Sequence, residues 1–184
     1  MSRLQIREDD LTGRKIADFL GEHLENMKEI TPPESIHALD LEALRSPDIT
    51  FWTAWEADEL LGCGALKELD SRTGEVKSMR TAQAHRRKGI ASKMLEHIIK
   101  EADRRAYDCL NLETGALPEF APARALYTRH GFKYRGPFAE YIDDPNSVFM
   151  TKKLARSLLE FGVFLEKIAM TLNYWCSIFL GWFT

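Results

Sequence analysis

Three strand-like runs follow one another between residues 49 and 82, and a strongly amphipathic stretch comes directly after them. Ile49-Thr50-Phe51-Trp52-Thr53-Ala54-Trp55 is β-branched and aromatic, the composition that fills a pleated surface. Glu56-Ala57-Asp58-Glu59 turns the chain into a second strand over residues 60–69, kept slim by Gly62, Cys63 and Gly64. Ser71-Arg72-Thr73-Gly74 turns it again into a third strand over 75–82. Ile90, Met94, Leu95, Ile98, Ile99 and Ala102 then recur at helical spacing and predict a helix over 90–106 with one apolar stripe. A meander with an apolar face and a helix with an apolar stripe bury each other, so the chain must layer helices on a sheet.

The flanking segments extend this pattern. Residues 4–6 alternate as a short strand. Thr12 is the expected N-cap of a helix carrying Ile16, Phe19, Leu20, His23, Leu24 and Met27 on one face. Thr31-Pro32-Pro33 stops that helix, and residues 35–44 read as a second, short one. A strand over 108–113, a helix over 118–130 closed by Gly131, and strands over 132–138 and 147–154 complete the chain. The order is β-α-α-β-β-β-α-β-α-β-β. Antiparallel strands followed by β-α-β imply an α/β (α+β) fold with a mixed sheet and helices on its faces.

Composition narrows the class. At 184 residues and 21.1 kDa, with 29% charged and 45% hydrophobic residues, the chain has enough for one domain with a real core and some surplus. A net charge of -3 argues against a surface that grips nucleic acid as a whole. The three cysteines, at 63, 109 and 176, have neither disulfide-framework nor zinc-site spacing, so no metal is expected. The first ten residues contain no apolar run of the kind a signal peptide needs, so the expected location is the cytoplasm.

Charge is unevenly distributed. Residues 72–105 hold ten Lys and Arg against four Asp and Glu, a net of +6, which leaves -9 for the rest. At the centre of this window, Arg86-Arg87-Lys88-Gly89-Ile90-Ala91 joins a predicted strand to the predicted helix. A helix N-terminus offers unpaired N–H groups and a positive dipole end to a phosphate, and Gly89 lets a ligand approach the backbone. A solvated basic loop is the competing reading. Gly89-Ile90-Ala91-Ser92-Lys93 lacks the P-loop pattern, and Lys67 stands where a dinucleotide fingerprint begun at Gly62-Cys63-Gly64 would need its third glycine.

Arg86-x-x-Gly89-x-Ala91 resembles the first signature of the GNAT-type N-acyltransferases, at the start of their acyl-CoA-binding helix. Ala123-Arg124-Ala125-Leu126-Tyr127-Thr128-Arg129-His130-Gly131-Phe132 is similar to their second signature, Ala-x-x-Leu-Tyr-x-x-x-Gly-Phe. The resemblance spans about residues 3–154, with the motifs in the family's order and a strand between them. It implies a GNAT-like sheet of six or seven strands that splays between its fourth and fifth, here 75–82 and 108–113, around acyl-CoA. The implied donor contacts are the backbone of Met79, Arg80 and Thr81 with the pantetheine, and Arg86, Arg87, Lys88, Gly89, Ile90, Ala91 and Ser92 with the pyrophosphate. The implied activity is N-acetyl transfer from acetyl-CoA to an amine of a small molecule or peptide.

Direct transfer needs a neutral amine, a proton donor for the departing thiolate and N–H groups near the thioester oxygen. Tyr127 of the second signature is the implied acid, with a packing role as the competing reading. Glu75, which stands 11 residues before Arg86 as the base does in the histone-modifying members, is the implied base; a plain ion pair with Lys77 competes. Glu113 is a second base candidate, and an amide near Met79 or Arg80 would stabilise the oxyanion. Phe120 stands where many members carry a cofactor-binding Asn, so the 118–122 loop is expected to hold CoA differently. His85 reads as solvated, and Cys63 and Cys109 as buried apolar residues. His23, Glu34 and His37 are candidates for contact with the acceptor.

The last 30 residues differ from the rest: 19 of 30 are hydrophobic against about 64 of the preceding 154. Leu158, Phe161, Leu165, Ile168, Leu172, Trp175 and Phe179 make a helical stripe, and residues 168–184 carry no charge. Residues 1–154 are therefore the expected transferase domain and 155–184 an apolar C-terminal helix. That helix could pack on its own domain or on a homodimer partner, touch a membrane, or add no function. Two other functional classes stand beside the enzyme: a non-catalytic acyl-CoA-binding sensor or scaffold, and an adaptor recruited to a membrane by the tail.

Overall fold

The computed structural model describes residues 4–30, 32, 35 and 39–155, with His23, Asn26, Glu29 and Ile30 as backbone only. The chain runs through β1 (Gln5–Glu8), α1 (Arg14–Ile30), α2 (Leu41–Leu44), β2 (Ile49–Glu56), β3 (Glu59–Asp70) and β4 (Thr73–Thr81). It continues with α3 (Ile90–Arg104), β5 (Cys109–Gly115), α4 (Ala121–Arg129), β6 (Lys133–Arg135) and β7 (Ser147–Lys153). The seven strands form one mixed sheet in the order β1-β2-β3-β4-β5-β7-β6, and the β4–β5 pair is parallel. The element order and the layered mixed sheet agree with the expectation from the sequence.

Strand alternation divides the sheet's apolar residues between two covers. Phe51, Cys63 and Ala65 pack beneath Leu11, Ile16, Phe19 and Leu20 of the α1 region and Leu44 of α2. Trp52, Ala54, Leu66 and Val76 point the other way, under Ile90, Met94, Leu95 and Ile98 of α3. Leu110, Leu112 and Met150 continue that layer toward Tyr127 of α4 and Phe132. At the end of α3, Glu101 accepts from both Arg104 and Arg105, and Arg105 also donates to Thr50 Oγ1 on β2 at 2.8 Å. These guanidinium hydrogen bonds, that of Arg104 first, hold the Glu101 carboxyl down at about 2.

Local competition moves several predicted boundaries. The Gly13 carbonyl accepts the Ala17 amide at 3.2 Å, so Gly13 and not Thr12 stands at the head of α1. The Thr12 hydroxyl donates instead to Asp10 Oδ1 at 2.7 Å. Among the described residues, α2 begins only after Asp40, whose carboxylate accepts the Ala43 amide at 2.8 Å as a true N-cap. The helix predicted from residue 118 starts as a 3-10 turn over Pro118–Phe120. The strand predicted over 132–138 shortens to β6, because Pro137 has no N–H for a ladder. Gly131 takes a φ of +84°, as expected at the end of a helix. Glu34, His37 and the helix expected over 155–184 lie outside the described residues, apart from Ala155.

Candidate active site

β4 and β5 begin as neighbours and then separate. Three registered pairs join them, Thr73–Cys109, Gly74–Leu110 and Glu75–Asn111, although the strands have nine and seven residues. Beyond Glu75, no strand among the described residues lies beside the outer edge of β4, so the N–H and C=O groups on that edge have no ladder partner and the two strands leave a cleft between them. The opposite edge stays paired to β3, with two β4 residues, Ser78 and Met79, facing Gly64 between the Cys63–Arg80 and Ala65–Lys77 pairs. Ser78 carries a φ of +52° at this bulge, which turns the following peptide relative to the rest of the strand. Gly64 is required here: a Cβ would lie 2.7 Å from Met79 Sδ and 2.9 Å from Met94 Cγ.

The head of α3 lies just past the free end of β4. Gly89, with a φ of +81°, is its N-cap and provides no side chain to the first-turn amides of Ile90, Ala91 and Ser92. Arg86, Arg87, Lys88 and Gly89 are exposed, and Arg87 also has a positive φ, of 63°. The Ser92 hydroxyl shares a hydrogen bond of 2.8 Å with His130 Nε2, which ties the first turn of α3 to the end of α4. The result is a cationic helix head whose first-turn amides carry no side-chain cap, an arrangement chemically suited to an anion.

The two catalytic candidates come from opposite sides of the sheet. Tyr127 is 6% exposed, edge-on to Phe132 at 5.8 Å between ring centroids, and its hydroxyl has no hydrogen-bond partner among the described residues. Burial, followed by the charge of Glu113, raises its pKa well above the usual phenol range. Glu75 is 3% exposed and occupies the last rung before the strands separate. Its Oε1 accepts from Tyr141 Oη at 2.7 Å and from Lys77 Nζ at 3.0 Å.

A family model described as the acetyltransferase (GNAT) family matches residues 16–132. The uncharacterized N-acetyltransferase YsnE of Bacillus subtilis (strain 168) is 62% identical over 151 residues, covering 82% of this chain and 100% of that protein. The uncharacterized N-acetyltransferase YedL of Escherichia coli (strain K12) is 45% identical over 152 residues, covering 83% and 96%. A Bacillus subtilis acetyltransferase solved in complex with CoA has the same fold, with a TM-score of 0.61 at 18% identity over 83% of this chain and 100% of that one. The chain belongs to the GNAT family of acetyltransferases. It is therefore an acyltransferase enzyme.

The remaining polar groups of this acetyltransferase gather on the face of the sheet that α1 covers. Lys77 Nζ also donates to Tyr141 Oη at 2.8 Å, so Glu75, Lys77 and Tyr141 form one closed cluster. Phe138, Tyr141 and Phe149 stack edge-on or tilted as its wall. Buried Asn111 accepts from Arg135 at 2.8 Å, and Glu113 accepts from the Ser147 hydroxyl at 2.8 Å. Burial pushes the Tyr141 hydroxyl far above the usual phenol range, and Glu75 adds to the effect.

Several sequence readings change. His85 is not solvated: its side chain is 14% exposed and its Nε2 lies 2.7 Å from Glu59 Oε1. Glu75 does contact Lys77, but as part of a buried three-member cluster and not at an edge. Cys63 is fully enclosed with its thiol pushed up to about 12, and Cys109 is half-buried beside the Thr73 hydroxyl, so neither is set up as a nucleophile. The Phe120 ring packs against Gly115, where a Cβ would come within 2.3 Å of it. Tyr141 was missed because it lies in an irregular stretch with no periodic signal, 66 residues from its partner Glu75. Among the described residues no cluster of His, Cys, Asp and Glu has metal-ligand geometry, and no helix is long and apolar enough to cross a membrane.

Proposed function

We propose that this acetyltransferase moves the acetyl group of acetyl-CoA directly to an amine of a small molecule or peptide. The observation that carries the reading is the parting of β4 from β5 after three rungs, with the uncapped head of α3 at the end of the gap. The residues present fit the donor. The free edge at Met79, Arg80 and Thr81 suits a pantetheine chain, which brings its own amides. The buried Thr81 Oγ1 has no hydrogen-bond partner among the described residues. Arg86, Arg87, Lys88, Gly89, Ile90, Ala91 and Ser92 suit the pyrophosphate.

The acetyl group arrives as a thioester, and the chain's residues manage protons and charge around it. The amine loses its proton to Glu75, whose covered carboxylate reaches the cleft through the Tyr141 hydroxyl that it holds, or to water. Amides turned by the bulge near Met79 stabilise the oxyanion. Tyr127, kept protonated by its raised pKa, supplies the proton to the departing sulfur. Residues 1–154 are proposed as the transferase unit and 155–184 as an extension to it, since the full length of YsnE corresponds to 82% of this chain.

Incubating the full chain with acetyl-CoA and a panel of amines, and reading free thiol, tests the function. Amine-dependent thiol release is expected. Release no faster than thioester hydrolysis with every amine would refute it. Repeating the screen with a chain ending at Leu154 tests the unit, and equal rates are expected.

A further inference from the structure

We propose that the acceptor carries an anionic group beside its amine, of the kind an α-amino acid's carboxylate supplies, and that Arg80 binds it. The proposal rests on acetyl transfer as read above and deepens it to a class of acceptor.

Arg80 follows the β4 bulge and is registered with Cys63, so its side chain projects to the α1 face. The guanidinium lies over the Phe19 ring, 4.5 Å from the centroid, and Nη2 contacts Glu22 Oε2 at 3.2 Å. The side chain of Glu22 is 72% exposed and that of Arg80 only 12%. An exposed carboxylate returns little for burying the cation. Nη1 is buried and has no hydrogen-bond partner among the described residues. A buried, charged donor left unpaired is among the most unfavourable arrangements a protein keeps. A ligand oxygen in the cleft would satisfy it, and a carboxylate matches the planar guanidinium fork.

The other cation on this face of β4 is already engaged. Lys77 donates to both Glu75 and Tyr141, so Arg80 is left as the anion reader. Carboxylates stand at the inner end of the same face: Glu75 on the last rung and Glu113 two residues along β5 from Asn111, the partner of Glu75. Carboxylates at the crotch and a guanidinium farther out complement an amine with a carboxylate attached, while Phe19 offers an apolar wall beside the anion.

The test compares α-amino acids with their carboxamides at saturating acetyl-CoA, in wild type, Arg80→Met and Arg80→Lys. The acid-to-amide ratio of kcat/KM should fall about 10- to 150-fold in Arg80→Met, the range for losing a hydrogen bond to a charged group. Taking the ratio against wild type cancels the different basicities of the two amines. CoA affinity is titrated alongside in each variant, and Arg80→Lys should keep part of the preference. A wild type without preference, or an unchanged ratio in Arg80→Met, overturns the proposal. So does weakened CoA binding with the ratio intact, which would assign Arg80 to the donor phosphates. Thermal shifts of the CoA-loaded protein with the same ligand pairs read the site without turnover, and acids should stabilise wild type most, Arg80→Lys less and Arg80→Met not at all. If no amine releases thiol, acetyl transfer fails as a reading and these shifts decide the anion site by themselves. If Arg80→Met does not fold, wild type and Arg80→Lys decide it.

Discussion

Replacing Tyr127 with Phe removes one hydroxyl from a buried ring and leaves the packing in place. The ring is 6% exposed and meets Phe132 edge-on at 5.8 Å, contacts that Phe retains. The hydroxyl has no hydrogen-bond partner among the described residues, so its loss strands no buried group. Stability should therefore stay within about 0.5 kcal/mol of wild type, whereas Tyr127→Ala, which empties the site, should cost about 3–5 kcal/mol. A positioned general acid is worth about 100- to 10,000-fold, so the chemical step should slow at least about 100-fold in Tyr127→Phe, some 2.7 kcal/mol of barrier. The pKa is raised by burial first and by Glu113 second. The phenol thus stays protonated beyond its ordinary value of 10, and this residue should cause no decline of the wild-type rate below that pH. Single-turnover acetyl transfer with a thiol reagent isolates the chemical step from product release, and titration of CoA checks the donor site separately. A single-turnover rate within about twofold of wild type, with CoA affinity intact, would refute the acid role and leave Tyr127 as packing.

Gly89→Val places a β-branched residue at a φ of +81° with no atom within 4 Å of its Cβ. About 1–2 kcal/mol of local strain should leave the fold intact while CoA affinity, measured by calorimetry, falls more than about tenfold; unchanged affinity would remove the loop from the donor site. Gly64→Ala drives a Cβ to 2.7 Å from Met79 Sδ and 2.9 Å from Met94 Cγ. It should cost about 1–3 kcal/mol in chemical denaturation, and an unchanged midpoint would mean both methionines yield freely. Glu101 is held at about 2 against an ordinary 4.5. Because the folded value is the lower one, its stabilisation is full above 4.5 and fades as pH falls toward 2. The exposure of its partner Arg104 limits the effect to about 1 kcal/mol or less. The stability gap between wild type and Glu101→Gln in urea should close across that window; a gap that ignores pH would point away from the ion pairs.

The element order was legible because each step leaves a local mark. The stripe from Ile90 to Ala102 identifies α3, the β-branched run from Ile49 to Trp55 identifies β2, and Gly131 stops α4. Boundaries failed where two side chains compete for one amide or one hydroxyl. Asp10 takes the Thr12 hydroxyl that was expected to cap α1, and Asp40 starts α2 later than the apolar pattern suggests. The site divides in the same way. The Arg86–Ala91 loop and Tyr127 belong to contiguous motifs. The partnerships of Glu75 with Tyr141 and of His85 with Glu59 bridge 66 and 26 residues and leave no periodic trace. The bulge at Ser78 was equally hidden, since a positive φ on serine has no signature in composition.

The three rungs between β4 and β5 also determine how the molecule yields. One side of that seam holds β1 to β4, joined by long antiparallel ladders, and the other holds β5, β7 and β6. Sub-global opening should begin at such a junction, where few bonds must break at once. Amide exchange would register it first in residues 76–81, on the side of β4 that has no neighbour. A ligand lying along that edge would raise the free energy of opening in proportion to the logarithm of its concentration. The seam is then both the least protected part of the sheet and the part whose protection depends most on occupancy. In a cell, the enzyme's resistance to proteolysis would follow the supply of its own substrate.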